Sequence, residues 1–275
     1  MSDAAPIGVF DSGLGGLTVA HELMRQMPTE GLVYFGDTAR VPYGPKAPST
    51  VRRYSREIAS FLEGEGVKAI VVACNTATAH ALAALRAELR VPVVGVIEPG
   101  ARAAVSATRT GNVGVIGTAG TIRSGAYERA IRELAPDARI TAQPCPLFVP
   151  LVEEGWIETE ATRLIASEYL GPLREAAVDT VVLGCTHYPL IRPILQRVFG
   201  RDVTLVFSAE ETAREVAETL ARKGIENAPD REGSYRFLTT GDPEAFRVTG
   251  ARFLQLPIGE VEHVTLAALE ATVAG

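Results

Sequence analysis

Two short apolar runs stand out in the pattern of hydrophobic and polar positions along the chain. Residues 69–73 and 180–184 are rich in valine, and each run stops at a cysteine that is followed by small polar residues. A run of this length is too short for a helix and is typical of a strand that is buried on both faces of a parallel sheet. The pattern therefore predicts two inner strands, each of which places a thiol, Cys74 or Cys185, where a helix begins.

The alternation of strand patterns and helix patterns extends along most of the chain. It predicts strands over residues 7–10, 32–37, 69–74, 93–97, 112–118, 139–145, 180–185 and 203–207. It predicts helices over residues 17–27, 49–63, 76–90, 121–134, 158–177, 188–199 and 209–223, the second with Ser49 as its N-cap. Residues 38–48 form a polar, proline-rich loop of the kind that often covers a binding site. Since strands and helices alternate, the sequence favours an α/β fold with mostly parallel sheets.

A weak internal repeat indicates two domains. The glycine-rich turn at residues 11–16 resembles the small polar turn at residues 117–121, and a cysteine follows each turn at a similar distance. The helix at residues 209–223 has no strand left to cover in a compact second unit, so we expect the C-terminal segment to rejoin the first. The predicted domains are residues 1–97 with 208–275, and residues 98–207.

Composition and charge exclude several classes of function. The chain has 275 residues, of which 47% are hydrophobic and 22% charged, and its net charge is −6. Such a chain offers no basic surface for nucleic acid or anionic lipid, and it has no apolar stretch long enough for a membrane span. The N-terminus lacks a basic region followed by an apolar one, so no signal peptide is expected. An odd number of cysteines, three, favours a reducing cytoplasm.

The paired thiols limit the chemistry that the chain can perform. A zinc site needs close-spaced ligands, which are absent, so no metal is predicted, and a redox pair would favour a Cys-x-x-Cys spacing. A thiol hydrolase could use Cys185 with His187 as its base, but Cys74 would then have no role. Two acid–base groups on opposite faces of one carbon use both thiols, because a thiol can lose and regain a proton near neutral pH. A helix N-terminus is expected to lower the pKa of each thiol.

Six motifs in order closely resemble the glutamate racemase family. They are residues 11–16, residues 36–44 with Pro42-Tyr43-Gly44, residues 73–78, Gly117-Thr118, residues 148–153 and residues 184–189. The resemblance runs from residue 7 to about residue 210. It implies two Rossmann-like, three-layer α/β domains with pseudo-symmetry and the active site between them.

The resemblance also implies an activity and a biological role. The enzyme would be a cofactor-independent racemase that supplies D-glutamate for cell-wall peptidoglycan, and it would act as a homodimer with glutamate as its substrate. The segment ahead of Asp11 is shorter than in members that depend on a peptidoglycan-precursor activator, so such activation is not carried over.

The resemblance assigns roles to individual residues. Cys74 and Cys185 match the two bases, with Asp11 beside the first and with His187 and Glu153 beside the second. The substrate would be held by Asp11, Ser12, Pro42, Tyr43, Gly44, Asn75, Thr76, Thr118, Thr121, Thr186 and His187. Because the motif turns contain no arginine or lysine, the substrate carboxylates must be bound by backbone N–H groups at helix N-termini and by neutral polar side chains.

Three alternatives to this reading remain. A pyridoxal-phosphate racemase needs a Schiff-base lysine, yet Lys46, Lys68 and Lys223 all lie outside the strand-end turns. A non-catalytic amino-acid binding protein would share two α/β lobes and a cleft but would give no reason for paired thiols. An aspartate racemase would differ in the size of the side-chain pocket, which spacing along the sequence does not reveal.

Overall fold

The computed structural model describes residues 4–273, and within this range it is an α/β fold. The strands are β1 (Ile7–Asp11), β2 (Leu32–Gly36), β3 (Ala69–Val72), β4 (Val93–Gly95), β5 (Asn112–Gly117), β6 (Arg139–Pro144), β7 (Thr180–Gly184), β8 (Thr204–Val206), β9 (Tyr235–Thr239) and β10 (Val261–His263). The first three residues, on which part of the signal-peptide prediction rests, and residues 274–275 lie outside the described residues.

Helices follow most of the strands. They are α1 (Leu17–Gln26), α2 (Pro48–Gly64), α3 (Asn75–Glu88), α4 (Ile97–Ala107), α5 (Ala119–Arg123), α6 (Ala126–Leu134), α7 (Phe148–Glu153), α8 (Glu160–Tyr169), α9 (Gly171–Glu175), α10 (Arg192–Phe199), α11 (Ala209–Lys223), α12 (Pro243–Leu254) and α13 (Leu266–Ala271), with 3₁₀ turns at Thr38–Arg40 and Tyr188–Ile191. None of these helices is both long and apolar enough to cross a bilayer.

The strands described here pair into two sheets, and every pairing is parallel. One sheet has the order β10-β9-β2-β1-β3-β4, and the other has the order β6-β5-β7-β8. The predicted fold class is therefore confirmed. Strand β9 lies beside β2, with Phe237 opposite Tyr34, so the C-terminal part of the chain contributes to the sheet that the N-terminal part begins.

The inner strands of the first sheet contribute side chains to two separate hydrophobic cores, one on each face of the sheet. Val9 packs with side chains of α1, α11 and α12, whereas its neighbour Phe10 points to the other face and packs with α2, α3 and α13. This alternation follows from the pleat of the strand. All residues of β3 and β7 are buried, as the two apolar runs predict. Each fully buried aliphatic or aromatic side chain contributes roughly 1.5–3 kcal/mol, so the strands that precede the thiols are rigidly held.

Several predicted boundaries are wrong for local reasons. Helix α2 begins at Pro48, with Ala47 as the N-cap in place of Ser49, because proline at the first helical position costs no hydrogen bond. The predicted helix at 121–134 is divided into α5 and α6 by Gly125, which has a left-handed φ of 63°. The predicted helix at 158–177 is divided before Pro172, which cannot continue the hydrogen-bonding pattern of α8.

Two helices ahead of residue 208 were not predicted, and no bounds were predicted for the helices after residue 223. Helix α4 lies where the sequence indicated only a break near residue 98, because Pro99 and Gly100 in its first turn conceal the helical pattern. Helix α7 occupies a motif that the sequence left without secondary structure. Both helices are short and begin with residues of poor helix propensity. The strand predicted at 93–97 accordingly ends at Gly95.

Candidate active site

Both thiols lie at the carboxyl ends of central strands, one in each sheet. Cys74 follows β3 and is the N-cap of α3, and Cys185 follows β7. Each is about 6% exposed, and both line the same narrow cleft. Ligands of parallel α/β sheets bind at this end of the strands. The fold therefore turns both sulfurs toward one shared space.

Cys74 lies in a buried and electrostatically negative corner of the cleft. Its sulfur accepts a hydrogen bond from the Ala77 N–H at 3.4 Å, and its thiol donates toward Ser12 Oγ at 3.7 Å. Burial and, to a smaller extent, the nearby carboxylate of Asp11 raise the pKa of Cys74 to about 12, against the lowering effect of the Ala77 N–H. The predicted lowering of the pKa of this thiol by the helix N-terminus is therefore wrong. Desolvation exceeds the effect of the helix dipole.

Asp11 lies beneath this corner, outside the wall of the cleft. Its Oδ2 accepts a hydrogen bond from the Gly13 N–H at 2.9 Å, while its buried Oδ1 has no hydrogen-bond partner among the described residues. Burial raises the pKa of Asp11, although positive charge on His187 lowers it. A buried carboxylate with a free oxygen is poised to accept a proton or a cation.

A hydrogen-bonded chain supports Cys185. His187 Nδ1 lies 3.8 Å from the Cys185 sulfur, and His187 Nε2 lies 3.0 Å from Glu153 Oε1. Burial alone would lower the pKa of His187, but the hydrogen bonds to Cys185 and Glu153 outweigh it and raise this pKa to about 10. The raised pKa favours the protonated, cationic form of His187. The ring of Phe253 packs edge-to-face against the imidazole, with 5.2 Å between the two ring centroids, and this contact limits rotation of the imidazole.

The loop at residues 38–48 forms another wall, and a buried charged network anchors it. Tyr43 donates to Asp37 Oδ2 at 2.5 Å, and Arg40 Nε donates to the same oxygen at 2.7 Å. Arg40 also pairs with the buried Glu57. This network holds Pro42, Tyr43 and Gly44 against the cleft.

Three threonines join the two sheets beside the cleft. Thr76 Oγ1 shares hydrogen bonds with Thr118 Oγ1 at 2.8 Å and with Thr121 Oγ1 at 3.2 Å, and the latter two are 3.0 Å apart. Thr118 is the N-cap of α5, where its hydroxyl accepts the Thr121 N–H. Thr76 and Thr118 line the cleft, whereas Thr121 lies behind them.

The glycine-rich turn of the first sheet also touches the second. A Cβ added to Gly15 would lie 2.2 Å from Thr186 Oγ1 and 2.5 Å from His187 Nδ1. Such distances are far below van der Waals contact, so only glycine fits at this position. The turn thus packs directly on the residues that follow Cys185.

Most of the residues that the sequence singled out are brought together. Those that line the cleft are Ser12, Pro42, Tyr43, Gly44, Cys74, Asn75, Thr76, Thr118, Glu153, Cys185, Thr186 and His187. Asp11 and Thr121 lie just behind its wall. The sequence reasoning gave no role to Val41 and Val149, which also line the cleft and carry no chemical signal beyond their position in the motifs.

The cleft is lined by neutral hydrogen-bond donors, two thiols and one carboxylate–imidazole pair. Among its lining residues there is no lysine or arginine. Within residues 4–273, no group of three or more His, Cys, Asp or Glu side chains could hold a metal ion. The arrangement suits proton transfer at a small, anionic ligand.

Comparisons with known proteins agree with one another. The family model described as Asp/Glu/Hydantoin racemase matches residues 12–216. A glutamate racemase of Geobacter metallireducens is 54% identical over 262 residues, which are 95% of this chain and 97% of that protein.

Solved structures resemble nearly the whole chain. The glutamate racemase isoform RacE1 of Bacillus anthracis has a TM-score of 0.92 and 44% identity, covering 96% of this chain and 98% of that one. The glutamate racemase of Francisella tularensis, solved in complex with D-glutamate, has a TM-score of 0.91 and 36% identity, covering 98% of this chain and 99% of that one.

Proposed function

The chain belongs to the Asp/Glu/Hydantoin racemase family, and we propose that it interconverts L- and D-glutamate by moving a proton at Cα between Cys74 and Cys185, without a prosthetic group. The observation that carries this proposal is that two thiols, delivered by different sheets, line the same cleft. The choice of glutamate as the substrate rests on relatives that are named glutamate racemase and are 54% and 51% identical in sequence to this chain.

The proposed reaction has two proton transfers. One sulfur, as a thiolate, takes the Cα proton and becomes a thiol, which leaves a planar carbanion conjugated with the α-carboxylate. The other thiol gives its proton to the opposite face of Cα and becomes a thiolate. The configuration is inverted, and the enzyme ends with its proton on the other sulfur.

The two sulfurs do not have equivalent surroundings. A pKa of about 12 keeps Cys74 protonated at neutral pH, so it is set to act as the acid. Cys185 lies beside a cationic His187, which can stabilise negative charge on the sulfur and which Glu153 in turn orients. A substrate ammonium bound in the cleft near Cys74 and Asp11 would carry positive charge that favours thiolate at Cys74 and allows the reverse direction.

Neutral donors would bind the substrate and stabilise the carbanion. The α-carboxylate gains charge as the proton leaves, and fixed N–H and O–H groups aimed at that charge lower the barrier. We assign this role to Ser12, Asn75, Thr76, Thr118 and Thr186, together with the N-terminus of α3. Removal of one such donor typically costs about 3 kcal/mol in the transition state.

The positions of the lysines support chemistry without pyridoxal phosphate. Lys68 is fully buried and pairs with Glu30 at 2.5 Å, with Asn227 as a further partner, and it does not line the cleft. Lys46 and Lys223 also lie outside the cleft wall. No lysine is therefore placed to form a Schiff base with a cofactor in this cleft.

Several wider assignments belong to the same proposal. The product D-glutamate would serve peptidoglycan synthesis in the cytoplasm, and the enzyme would be a homodimer. The cleft would lie between two domains, residues 1–97 with 208–275 and residues 98–207. Light scattering of the purified protein tests the dimer, and a monomer at micromolar concentration would contradict it.

The test of the proposed reaction is racemisation of L-glutamate by the purified protein, followed by circular dichroism. We expect activity with no added cofactor, uptake of deuterium at Cα in heavy water, and loss of activity in both directions for Cys74→Ala and Cys185→Ala. Cys145→Ala is the matched control, because Cys145 is buried outside the cleft. Full activity in either cleft variant would refute the two-base scheme, and faster turnover of L-aspartate would redirect the substrate assignment.

A further inference from the structure

Tyr127 is a buried side chain that none of the motifs includes. It lies on α6 beside the second sheet and is about 2% exposed. Its hydroxyl donates a 2.7 Å hydrogen bond to Asn75 Oδ1, which belongs to the first residue of α3. Asn75 directly follows Cys74 and lines the cleft. Tyr127 therefore reaches from one sheet to the residue next to the thiol of the other.

The ring of Tyr127 lies against the second thiol segment. A Cβ added to Gly184, the residue before Cys185, would lie 3.0 Å from Tyr127 Cε2. The Tyr127 ring thus packs on the backbone of Gly184, where a larger residue would push it away. One side chain contacts both the residue after Cys74 and the residue before Cys185.

The hydrogen bond also decides which end of the Asn75 amide remains available. Burial raises the pKa of Tyr127, so its hydroxyl keeps its proton and can donate it. Because Asn75 Oδ1 accepts this bond, the two N–H donors of the amide are left for an anion in the cleft. A buried amide without this partner could turn over and present its oxygen to the anion, which would repel it.

We propose that Tyr127 is a positioning residue that holds the Asn75 amide N–H groups toward a substrate carboxylate, while its ring packs against Gly184. The proposal rests on the proposed racemase function for the identity of the substrate. The hydrogen bond between Tyr127 and Asn75 does not depend on that function, because it is formed between two side chains of the protein itself.

The main test is Tyr127→Phe, which keeps the ring against Gly184 and removes only the hydroxyl. We expect KM for glutamate to rise about three- to tenfold, as for the loss of one positioned hydrogen bond, with a smaller change in kcat. In an Asn75→Ala background the same substitution should leave KM unchanged, because Tyr127 then has no amide to orient. Additive effects of the two substitutions on KM would overturn the proposal.

A spectroscopic readout separates this proposal from the racemase assignment. The chain has three asparagines, Asn75, Asn112 and Asn227, so ¹⁵N-asparagine labelling gives a side-chain amide spectrum with three pairs of signals. In Tyr127→Phe, only the Asn75 pair should shift, and the other two pairs serve as internal references.

Tyr188→Phe is the matched control for this spectrum. Tyr188 is also buried, and the substitution removes the 2.9 Å hydrogen bond that its hydroxyl donates to the Cys145 carbonyl. This hydrogen bond does not involve Asn75. We expect the Asn75 pair to stay in place in this variant. An unmoved Asn75 pair in Tyr127→Phe, a shift of all three pairs, or a moved pair with unchanged KM would each overturn the proposal. An inactive wild-type protein would refute the racemase assignment, while the Asn75 signals would still report on the contact.

Discussion

Replacing Gly15 with alanine should disable catalysis without unfolding the protein. Gly15 belongs to the turn that packs on Thr186 and His187, and its substituted Cβ would lie 2.2 Å and 2.5 Å from atoms of these two side chains. Both distances are about 1 Å short of ordinary contact, so either the turn or His187 must move by about that amount. The His187 ring is held between Cys185 and Glu153, so a displacement breaks one or both of these hydrogen bonds.

The expected loss of activity follows from this displacement. A catalytic group that is misplaced by about 1 Å typically costs on the order of 100-fold in rate. We therefore expect kcat for glutamate to fall about 100-fold in Gly15→Ala. The cost to stability should be about 1–3 kcal/mol, as for other overpacked sites, so the variant should remain folded at room temperature.

Two assays check this prediction. Circular dichroism follows racemisation, and NMR titration of the four histidines follows His187, whose pKa should fall from about 10 when its ring leaves its partners. Gly64→Ala is the control, because a Cβ at this exposed helix position meets no atom within 4 Å. Wild-type kcat in Gly15→Ala, together with an unchanged His187 titration, would refute the reasoning.

Three further predictions concern charged groups. In Glu153→Gln, the pKa of His187 should fall below about 10. Burial lowers this pKa, the hydrogen bonds to Cys185 and Glu153 raise it, and the substitution replaces the Glu153 carboxylate with a neutral amide. The stability that protonated His187 contributes is complete below its ordinary pKa of 6.5 and is lost as pH rises toward 10, so the melting temperature of this variant should decline at lower pH than that of the wild type. Coincident profiles would contradict this. Arg40→Met should lower the free energy of unfolding by about 3 kcal/mol, since it leaves the buried Asp37 without its cation and leaves Glu57 with only the 3.6 Å pair to Arg53, and a loss below about 1 kcal/mol in urea unfolding would count against it. Asp179→Ala removes four hydrogen bonds that residues 108–110 donate to this carboxylate, and it should cost about 2–4 kcal/mol in the same assay, whereas an unchanged midpoint would show that the loop does not need this anchor.

The features that the sequence reveals are those that local pattern determines. Strands β3 and β7 are continuous apolar runs because both of their faces are buried, and that pattern can be read without any knowledge of their neighbours. The same reasoning places Cys74 and Cys185 at strand ends. The pairing of β9 with β2 is different, since it joins residues about 200 positions apart and leaves no local trace.

Other features depend on tertiary surroundings that no local pattern contains. The helix N-terminus at Cys74 argued for a lowered pKa, but burial and Asp11 raise it, and both effects arise only when β1 and β3 lie side by side. Glu153 was singled out by resemblance alone, because its hydrogen bond to His187 spans 34 residues. Helix α4 was missed since packing, not propensity, stabilises its Pro99-Gly100 start.

The strand order of the first sheet has a consequence for synthesis on the ribosome. Strands β5 to β8 are consecutive in the chain, so the second sheet can assemble as soon as residue 206 has emerged. The first sheet must wait, because the neighbour of β2 is β9, which ends at residue 239. At elongation rates of about 5–20 residues per second, the edge of β2 stays unpaired for roughly 10–40 s. During that interval the nascent chain presents an open strand edge, the kind of surface that chaperones protect from intermolecular pairing.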